Sequence, residues 1–227
     1  MIAVAGAAGN LGPSVVQRLT GAGSRVCACG RERASLEALA AEVGDIDADV
    51  VDLLDPRATR EWGDELVARH GQVDALVHLV GGWRGGTPIE EAPLEDWDFL
   101  SALLVRTVQN ATQAMAPHLL ASGRGRFVLV SSGQAQAPTN TNAVYAAAKA
   151  ASEAWTLALA HRFRGTGATA NLVVVGAIVT PAMRAESPDQ DFSTFTPAEE
   201  IAEAIAYVCS DAAASMNGQR LTLRGAA

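Results

Sequence analysis

Basic residues are scarce in this sequence of 227 residues. Its 17 Lys and Arg residues are outnumbered by 25 Asp and Glu, which gives a formal net charge of −8 at pH 7, and Lys149 is the only lysine. No cluster of basic residues offsets that balance locally. Because a nucleic-acid backbone attracts clustered positive charge, we expect no nucleic acid among the partners of this protein.

Long apolar runs and cysteines are also few. Every apolar run is interrupted well before the roughly 20 residues that a membrane-spanning helix needs. The N-terminus lacks the basic segment of a secretory signal peptide. The three cysteines, Cys27, Cys29 and Cys209, are an odd number and show no metal-ligand spacing with the four histidines. We therefore expect a cytoplasmic protein with no membrane contact, no disulfide and no bound metal.

What the sequence does contain is a regular alternation of strand-like and helix-like segments. Apolar runs predict strands at residues 2–5, 25–29, 47–51, 75–80, 126–131, 169–175 and 220–223. Amphipathic stretches predict helices at residues 11–22, 34–43, 56–69, 94–121, 144–164 and 197–210. Such alternation is typical of an α/β protein with a doubly wound, parallel, seven-stranded sheet of the Rossmann type and helices on both faces. No linker divides residues 1–227, so we expect a single domain.

A glycine-rich turn connects the first predicted strand to the first helix. Gly6, Gly9 and Gly12 are spaced by three residues, with Asn10 and Leu11 between the last two. Glycines at these positions allow a tight turn and let a dinucleotide pyrophosphate approach the backbone N–H groups of the helix N-terminus. The alternative interpretation is a turn that serves only packing. Its position between strand and helix favours the cofactor-binding interpretation.

The end of the second strand bears on the choice of nicotinamide cofactor. A ribose 2′-hydroxyl is usually bound by an acidic residue at the strand tip, and a 2′-phosphate by a basic one. Arg31 follows this strand directly, which favours NADP over NAD. Glu32 is next in the sequence and could bind the ribose instead, and Arg31 could equally be a solvated residue at a helix start.

Three polar residues in the second half of the chain predict proton-transfer chemistry. Tyr145 and Lys149 are four residues apart in a predicted helix and so share a face. An ammonium beside a phenol should lower the pKa of the phenol and make it a better proton donor at neutral pH. Ser132 ends a strand at the sheet edge where ligands bind and could orient a substrate oxygen. Ser131 is the neighbouring candidate, but the spacing to Tyr145 favours Ser132.

Together these residues resemble the short-chain dehydrogenase/reductase family over essentially the whole chain. The resemblance implies that Ser132, Tyr145 and Lys149 are catalytic and that Tyr145 and Lys149 also contact the cofactor. It further implies cofactor contacts at a set of residues that follow successive strands, Asp52, Leu53, Val80, Gly81, Gly176, Ile178 and Thr180. Ile178 would act through its backbone and Thr180 through its hydroxyl. The implied activity is transfer of a hydride between NAD(P) and a small carbonyl or alcohol.

The sequence departs from the family pattern at four places. Asn10 stands where classical members have a glycine, and Val175 stands where they have a proline. The usual Asn-Asn-Ala-Gly after the fourth strand reads His78-Leu79-Val80-Gly81. Leu104 aligns with the family's catalytic asparagine, which kinks its helix and holds a water molecule that links the lysine to solvent. Asn110 is six residues away, about 240° around a helix, and is no substitute.

Several other residues have a structural and a functional interpretation. We expect His78 to be a packed residue rather than a catalyst. Trp83 could form a wall of the substrate pocket, while Arg84 could attract an anionic substrate group or be merely solvated, and Gln134 could touch the substrate or lie in a polar loop. Phe192 and Phe195 fall in the short segment expected to be a lid over the substrate.

Small residues in the predicted helix 144–164 suggest a homodimer or homotetramer. Its many alanines would let a partner helix approach, together with a group of apolar residues in the preceding helix, Leu103, Leu104, Val105 and Val108. The alternative is a helix rich in alanine because alanine favours helices.

The predicted function is therefore reduction of a small carbonyl compound, or oxidation of the alcohol, with Tyr145 as general acid or base. Two alternatives stay open. One is a dinucleotide-binding protein without redox turnover, which the Leu104 substitution favours, and the other is a dehydratase or isomerase that uses Tyr145 without net redox change.

Overall fold

Seven parallel strands form the central sheet of the computed structural model, which describes residues 1–224. In spatial order they are β3 (Asp47–Val50), β2 (Val26–Gly30), β1 (Ile2–Ala5), β4 (Ala75–His78), β5 (Arg126–Ser132), β6 (Thr169–Val175) and β9 (Arg220–Thr222). Every neighbouring pair runs parallel. The predicted doubly wound Rossmann-type sheet is thereby confirmed.

Helices cover both faces of the sheet and separate its core into two halves. One face is covered by α1 (Gly12–Gly21), α2 (Arg33–Val43) and α8 (Ala198–Cys209), and the other by α3 (Pro56–His70), α5 (Thr107–Ala121) and α6 (Ala143–Phe163). The central strands bury residues on both sides, which explains their continuous apolar sequences.

The predicted helix 94–121 is in fact three segments. An α-helix, α4 (Leu94–Leu100), leads into a π-helical turn (Ser101–Arg106), and α5 continues from Thr107. The prediction of one uninterrupted helix was wrong because apolar periodicity does not distinguish 3.6 from 4.4 residues per turn over six residues. Such π turns occur frequently at functional sites.

Other differences from the sequence prediction are small. Strand β4 ends at His78 rather than at residue 80, so Leu79 and Val80 already belong to the following turn. A two-stranded sheet of β7 (Ile178–Val179) and β8 (Thr196–Pro197), with α7 (Pro181–Glu186) between them, was not predicted. Elements this short leave no detectable periodicity in a sequence.

The sheet order changes direction between β1 and β4, and this switch point positions the functional site. The chain leaves β1 through Gly6, whose φ of 78° lies in the left-handed region. A Cβ atom on Gly6 would lie 2.8 Å from the backbone nitrogen of Val80, so only glycine fits between the two strand ends. The carboxyl ends of β1 and β4 thus form a crevice of the kind in which open α/β sheets bind ligands. Within residues 1–224, no helix is both long enough and apolar enough to cross a bilayer.

Candidate active site

A cavity of about 1220 Å³ opens at the carboxyl ends of the strands. It brings together most of the residues that the sequence singled out, namely Gly6, Gly9, Asn10, Leu11, Arg31, Asp52, Leu53, Val80, Gly81, Ser132, Tyr145, Lys149, Gly176 and Ile178. Gly12 and Thr180 do not line it. The Thr180 hydroxyl accepts a hydrogen bond from the backbone N–H of Met183 and so caps α7, and its expected contact with the cofactor stays a prediction.

The first turn has the shape of a phosphate cradle. A Cβ atom on Gly12 would lie 1.7 Å from the carbonyl oxygen of Ala7, so Gly12 is required for the close packing of the turn against α1. Gly9 and Asn10 face the cavity. Among residues 1–224, no side chain caps the first turn of α1, where Pro13 has no N–H and the Gly12 N–H donates to the Gly9 carbonyl oxygen. These features fit a dinucleotide pyrophosphate.

The far end of the cavity is lined by the tips of β2 and β3. Arg31 and Glu32 are both exposed there, and the Glu32 carboxylate accepts a hydrogen bond from the Ser35 hydroxyl at 3.2 Å. Asp52 accepts a hydrogen bond from the backbone N–H of Leu54 at 2.9 Å, which shapes the turn after β3. The structure therefore presents both a cation and a carboxylate where the ribose would bind.

Asn110 stabilises the turn after β3 through hydrogen bonds, a role that the sequence did not indicate. Its buried amide donates hydrogen bonds to the carbonyl oxygens of Leu53 at 2.8 Å and Leu54 at 3.3 Å. It does not replace the family's asparagine, in agreement with its register on the helix.

Ser132, Tyr145 and Lys149 meet at the other end of the cavity. Ser132 is the last residue of β5, and Tyr145 and Lys149 lie on adjacent turns of α6. The Lys149 ammonium donates to the Val130 carbonyl oxygen at 3.0 Å and lies 5.9 Å from the centroid of the Tyr145 ring. The hydroxyl of Ser131, the neighbouring candidate, donates to the buried Glu153 carboxylate at 2.5 Å, although Ser131 also lines the cavity.

Burial is the main influence on the pKa values of Tyr145 and Lys149. Burial raises the pKa of Tyr145 above its usual 10.0, and the Ser132 hydroxyl lowers it only in part. Burial also lowers the pKa of Lys149 from 10.5 to about 8. The expectation that the ammonium lowers the phenol pKa is therefore not met in this arrangement, since the desolvation of the phenol outweighs other effects. The phenol is protonated at neutral pH.

Leu104 occupies the centre of the π-helical turn. It is 2% exposed and packs against Leu100 and Ala148. In the family the kink of this helix accompanies an asparagine. Here the π-helical turn forms around Leu104, which has no side-chain amide. The Thr107 N–H bonds to the Ala102 carbonyl, and the Leu103 carbonyl that a regular helix would use accepts the Thr107 hydroxyl at 2.6 Å.

The burial of this segment corrects one expectation about assembly. Leu104 and Val108, 2% and 1% exposed, are packed inside the protomer and cannot contact a partner subunit. Leu103 and Val105 are partly exposed, and Leu103 lines the cavity.

The loop after β4 is tied to α4 rather than free. The Arg84 guanidinium pairs with Asp96 at 2.9 Å and lies 3.8 Å from the centroid of the Phe99 ring. It therefore neither points at the substrate nor extends freely into solvent, the two alternatives left by the sequence. Trp83, 59% exposed, lines the cavity, as does Gln134.

The segment expected to be a lid packs largely on itself. Phe192 and Phe195 meet edge to face with ring centroids 5.2 Å apart. They line a separate cavity of about 370 Å³ beside the main one. Met183 and Thr194 from the same segment do reach the main cavity, and no sequence signal marked them.

His78 is fully buried at the end of β4, as expected of a packed residue. Neither of its ring nitrogens has a hydrogen-bond partner within the described part of the chain. Elsewhere, all three cysteines are free thiols, and residues 1–224 contain no group of three His, Cys, Asp or Glu side chains placed to hold a metal.

Comparisons with known proteins agree with this geometry. A family model described as short chain dehydrogenase matches residues 1–191. A 3-oxoacyl-(acyl-carrier-protein) reductase of Thermotoga maritima is 28% identical, with 98% of this chain and 95% of the relative covered. A D-threitol dehydrogenase of Mycolicibacterium smegmatis is also 28% identical, with 98% and 90% covered.

Solved structures share the fold. An NADPH-bound short chain oxidoreductase of Pseudomonas aeruginosa PAO1, described as containing an atypical catalytic center, superimposes with a TM-score of 0.88. The two sequences are 23% identical, and the match covers 99% of this chain and 95% of that one.

Proposed function

The chain belongs to the short-chain dehydrogenase family, and from that premise we propose that it reduces the carbonyl group of a small molecule with Tyr145 as the proton donor. One observation carries this proposal. A single cavity joins a phosphate cradle at the β1 turn to Ser132, Tyr145 and Lys149 at the end of β5, and Ser132 and Lys149 are buried there. A cofactor and a reacting carbonyl can therefore lie side by side.

Each of the three residues Ser132, Tyr145 and Lys149 would have its own role in the reduction. When bound, the reduced nicotinamide supplies the hydride that reaches the carbonyl carbon. The Tyr145 hydroxyl gives its proton to the carbonyl oxygen as charge develops there. The Ser132 oxygen already accepts the Gln134 backbone N–H at 3.3 Å, which leaves its own hydrogen to bond the substrate oxygen. Lys149 then returns a proton to Tyr145.

The protonation states favour the reductive direction near neutral pH. The raised pKa of Tyr145 keeps the phenol protonated and able to act as an acid. Oxidation of an alcohol needs the phenolate, and we expect its rate to rise with pH above neutrality. The pH profiles of the two directions, measured on one ketone–alcohol pair, test this assignment.

We propose NADPH as the preferred cofactor. Arg31 lines the ribose end of the cavity and can bind a 2′-phosphate, whereas Glu32 is already engaged with Ser35. The variant Arg31→Ser should raise the KM for NADPH about 10-fold or more, because a charged hydrogen bond contributes roughly 1.5–3 kcal/mol, with little change for NADH. Arg33→Ser, a nearby exposed arginine outside the cavity lining, is the matched control. Equal effects of both variants on NADPH would contradict the assignment.

The experiment that tests the function is NADPH consumption with a panel of ketones, quinones and β-ketoacyl thioesters. Tyr145→Phe should lower turnover by about 10²–10⁴-fold while it retains NADPH binding. Tyr207→Phe, the other tyrosine and an exposed one, should be unaffected. Full activity of Tyr145→Phe would refute the mechanism. Binding of NADPH without turnover across the panel would shift the conclusion to a non-redox dinucleotide-binding protein, a dehydratase or an isomerase.

The proposal also includes an oligomeric state and a cellular location. Leu157 on α6 is 41% exposed, and Ala147, Ala154 and Ala158 are exposed on the same helix, which supports a homodimer or homotetramer formed through α6. Free thiols at every cysteine suit the reducing cytoplasm. We place the catalytic and cofactor-binding functions in one domain.

A further inference from the structure

The end of the main cavity where a substrate would bind has almost no charged lining. In the part of the chain that the structure describes, the charged residues that line the cavity are Arg31, Glu32, Asp52 and Lys149. The first three follow β2 and β3, at the end where the cofactor ribose would bind. Lys149 is buried, and its ammonium donates to the Val130 carbonyl oxygen. Apart from this lysine, which the reaction itself uses, a charged group on the substrate would find no counter-ion beside Tyr145.

The other residues that line this end are uncharged. Trp83 supplies apolar surface from the loop after β4, Leu103 from the π-helical turn and Met183 from α7. The polar lining residues of the same end are neutral hydrogen-bonding groups, Gln134, Thr139, Asn142 and Thr194. Transfer of an apolar group from water to such a surface is favourable, whereas transfer of an unpaired charge is costly. The lining therefore favours an uncharged ligand.

Two arginines lie near this end of the cavity without lining it. Arg84 follows Trp83 directly, but its guanidinium pairs with Asp96 at 2.9 Å and lies 3.8 Å from the centroid of the Phe99 ring. Arg184 of α7 lines the separate cavity of about 370 Å³ instead. The arginines that are closest in sequence to the apolar lining are therefore both directed elsewhere, and Arg84 is held there by a carboxylate.

The loop that carries Trp83 is fixed on two sides. In addition to its salt bridge to α4, the backbone N–H of Gly86 donates to the Thr141 carbonyl oxygen at 2.7 Å, just before α6. The Trp83 ring packs closely on Gly85, where a Cβ atom would lie 3.1 Å from the ring. Trp83 is therefore held as a wall of the cavity, although 59% of it is exposed.

The same loop and α4 carry an excess of negative charge. Residues 81–100 contain five acidic residues and a single basic one, Arg84. All the acidic residues except Asp96 are exposed. Their field disfavours the approach of an anion. It attracts cations to the surface, but the carboxylates that line the cavity in the described chain, Glu32 and Asp52, are at the ribose end.

We propose that the substrate is an uncharged, largely apolar carbonyl compound that packs against Trp83 and Leu103, and that Asp96 helps to exclude anionic substrates because it holds Arg84 away from the cavity. Specificity is then a difference between two affinities, and the salt bridge lowers the affinity for the wrong class. Keto acids and phosphate-bearing carbonyl compounds belong to that class. The proposal rests on the reductase function argued above and names the substrate class of its site.

Two aryl ketones with the same reacting group test the charge preference. Acetophenone is neutral, and 4-acetylbenzoate carries a carboxylate on the far side of the ring. We expect kcat/KM for acetophenone to be about 10-fold higher or more, because the carboxylate loses hydration without gaining a counter-ion. An equal or higher kcat/KM for 4-acetylbenzoate would overturn the proposal.

The variant Asp96→Asn tests the role of the salt bridge, because it releases Arg84. It should raise kcat/KM for 4-acetylbenzoate about fivefold, the upper end of what a partly exposed ion pair contributes, and leave acetophenone within about twofold. Asp98→Asn is the matched control, since it removes the same charge from an exposed residue of α4 and should change neither ketone. Equal gains in both variants, or no gain in a folded Asp96→Asn enzyme, would refute the role of Asp96.

The variant Trp83→Ala tests the apolar wall. It should raise the KM for acetophenone about fivefold through loss of aromatic contact, with kcat little changed. Trp83→Phe should keep most of the wild-type affinity. Trp97→Ala is the matched control, because Trp97 is a 43% exposed residue of α4 outside the cavity lining. Equal effects at positions 83 and 97 would contradict the contact with Trp83.

A binding measurement without turnover separates this proposal from the reductase function. Calorimetry on Tyr145→Phe saturated with NADPH gives the Kd of acetophenone, of 4-acetylbenzoate and of the cation 4-acetylbenzyltrimethylammonium. We expect acetophenone to bind about 10-fold more tightly than either charged ketone. That order without turnover of any ketone by the wild type would count against the reductase assignment alone. Turnover without that order, tighter binding of a charged ketone, or no binding of acetophenone would overturn the substrate class.

Discussion

The two faces of the sheet are packed in different ways. Against α1, α2 and α8 the core is aliphatic, with fully buried residues such as Val15, Val16 and Ile205. The face covered by α3, α5 and α6 also has an apolar core, but near the carboxyl ends of the strands it buries His78, Lys149 and Glu153. In the described part of the chain, the buried ionisable groups beside the cavity lie on the second face.

The buried ionisable groups also differ from one another. Glu153 is compensated, because it accepts the Ser131 hydroxyl and pairs with Arg220. Lys149 donates to a neutral carbonyl, and the His78 ring has no partner in the described chain. The poorly compensated groups are the ones beside Tyr145. An incompletely compensated buried group destabilises the fold, and ionisable groups with perturbed pKa values are concentrated at functional sites.

The largest effect should come from Lys149→Met. We expect activity to fall by about 10²–10⁴-fold, because the proton source of Tyr145 is lost. The free energy of unfolding of Lys149→Met should, by contrast, be higher than that of the wild type at neutral pH. Since the folded-state pKa is lowered from 10.5 to about 8, the unfolded chain binds more protons between these pH values, and the lysine makes wild-type stability rise with pH across that window.

Urea denaturation at several pH values measures this contribution. The difference between wild type and Lys149→Met should change by about 3 kcal/mol from pH 8 to pH 10.5, in favour of the wild type at high pH. Tyr145→Phe, which keeps the ammonium, controls for loss of activity by itself. If Lys149→Met followed the wild-type pH dependence, the ammonium would be solvated and the contrast between the two faces would fail.

A truncation on the aliphatic face should affect stability without chemistry. Ile205 of α8 is fully buried, so Ile205→Ala should lower the free energy of unfolding by about 3 kcal/mol. The kcat of the folded enzyme should be unchanged, since α8 contributes no side chain to the cavity lining. Ile89→Ala, at a position that is 62% exposed, is the control and should cost less than about 1 kcal/mol. A fall in kcat of the folded Ile205→Ala enzyme would show that the aliphatic face also positions the site.

Most of the residues singled out in the sequence line the cavity because their placement follows from topology. In a parallel sheet the carboxyl ends of all strands share one edge, so Ser132, Asp52 and Gly176 had to come near the first turn once the strands were identified. Sequence reasoning did not predict the features that depend on tertiary contacts. Leu104 carries no signal for a π-helical turn, and the Arg84–Asp96 pair depends on how a loop lies against α4.

The burial of His78 shows the same limit. Its position in an apolar strand predicted a packed residue, and the structure agrees. That its ring is completely buried depends on the packing of β4 against α5, which no local pattern records.

The smallest effect should come from a polar contact between two helices, α5 and α6, on the face that buries His78, Lys149 and Glu153. The Trp155 indole N–H of α6 donates to the Thr112 hydroxyl of α5 at 2.9 Å. Thr112→Val keeps the shape of the side chain and leaves the indole donor without that acceptor, so stability should fall by roughly 1–2 kcal/mol. Thr156→Val is the matched control, because the Thr156 hydroxyl bonds to the Ser152 carbonyl of its own helix, and its loss should cost less than about 0.5 kcal/mol. Equal stability of the two variants in urea denaturation would mean that the polar contacts of this face add nothing to its packing, and that its difference from the aliphatic face is confined to His78, Lys149 and Glu153.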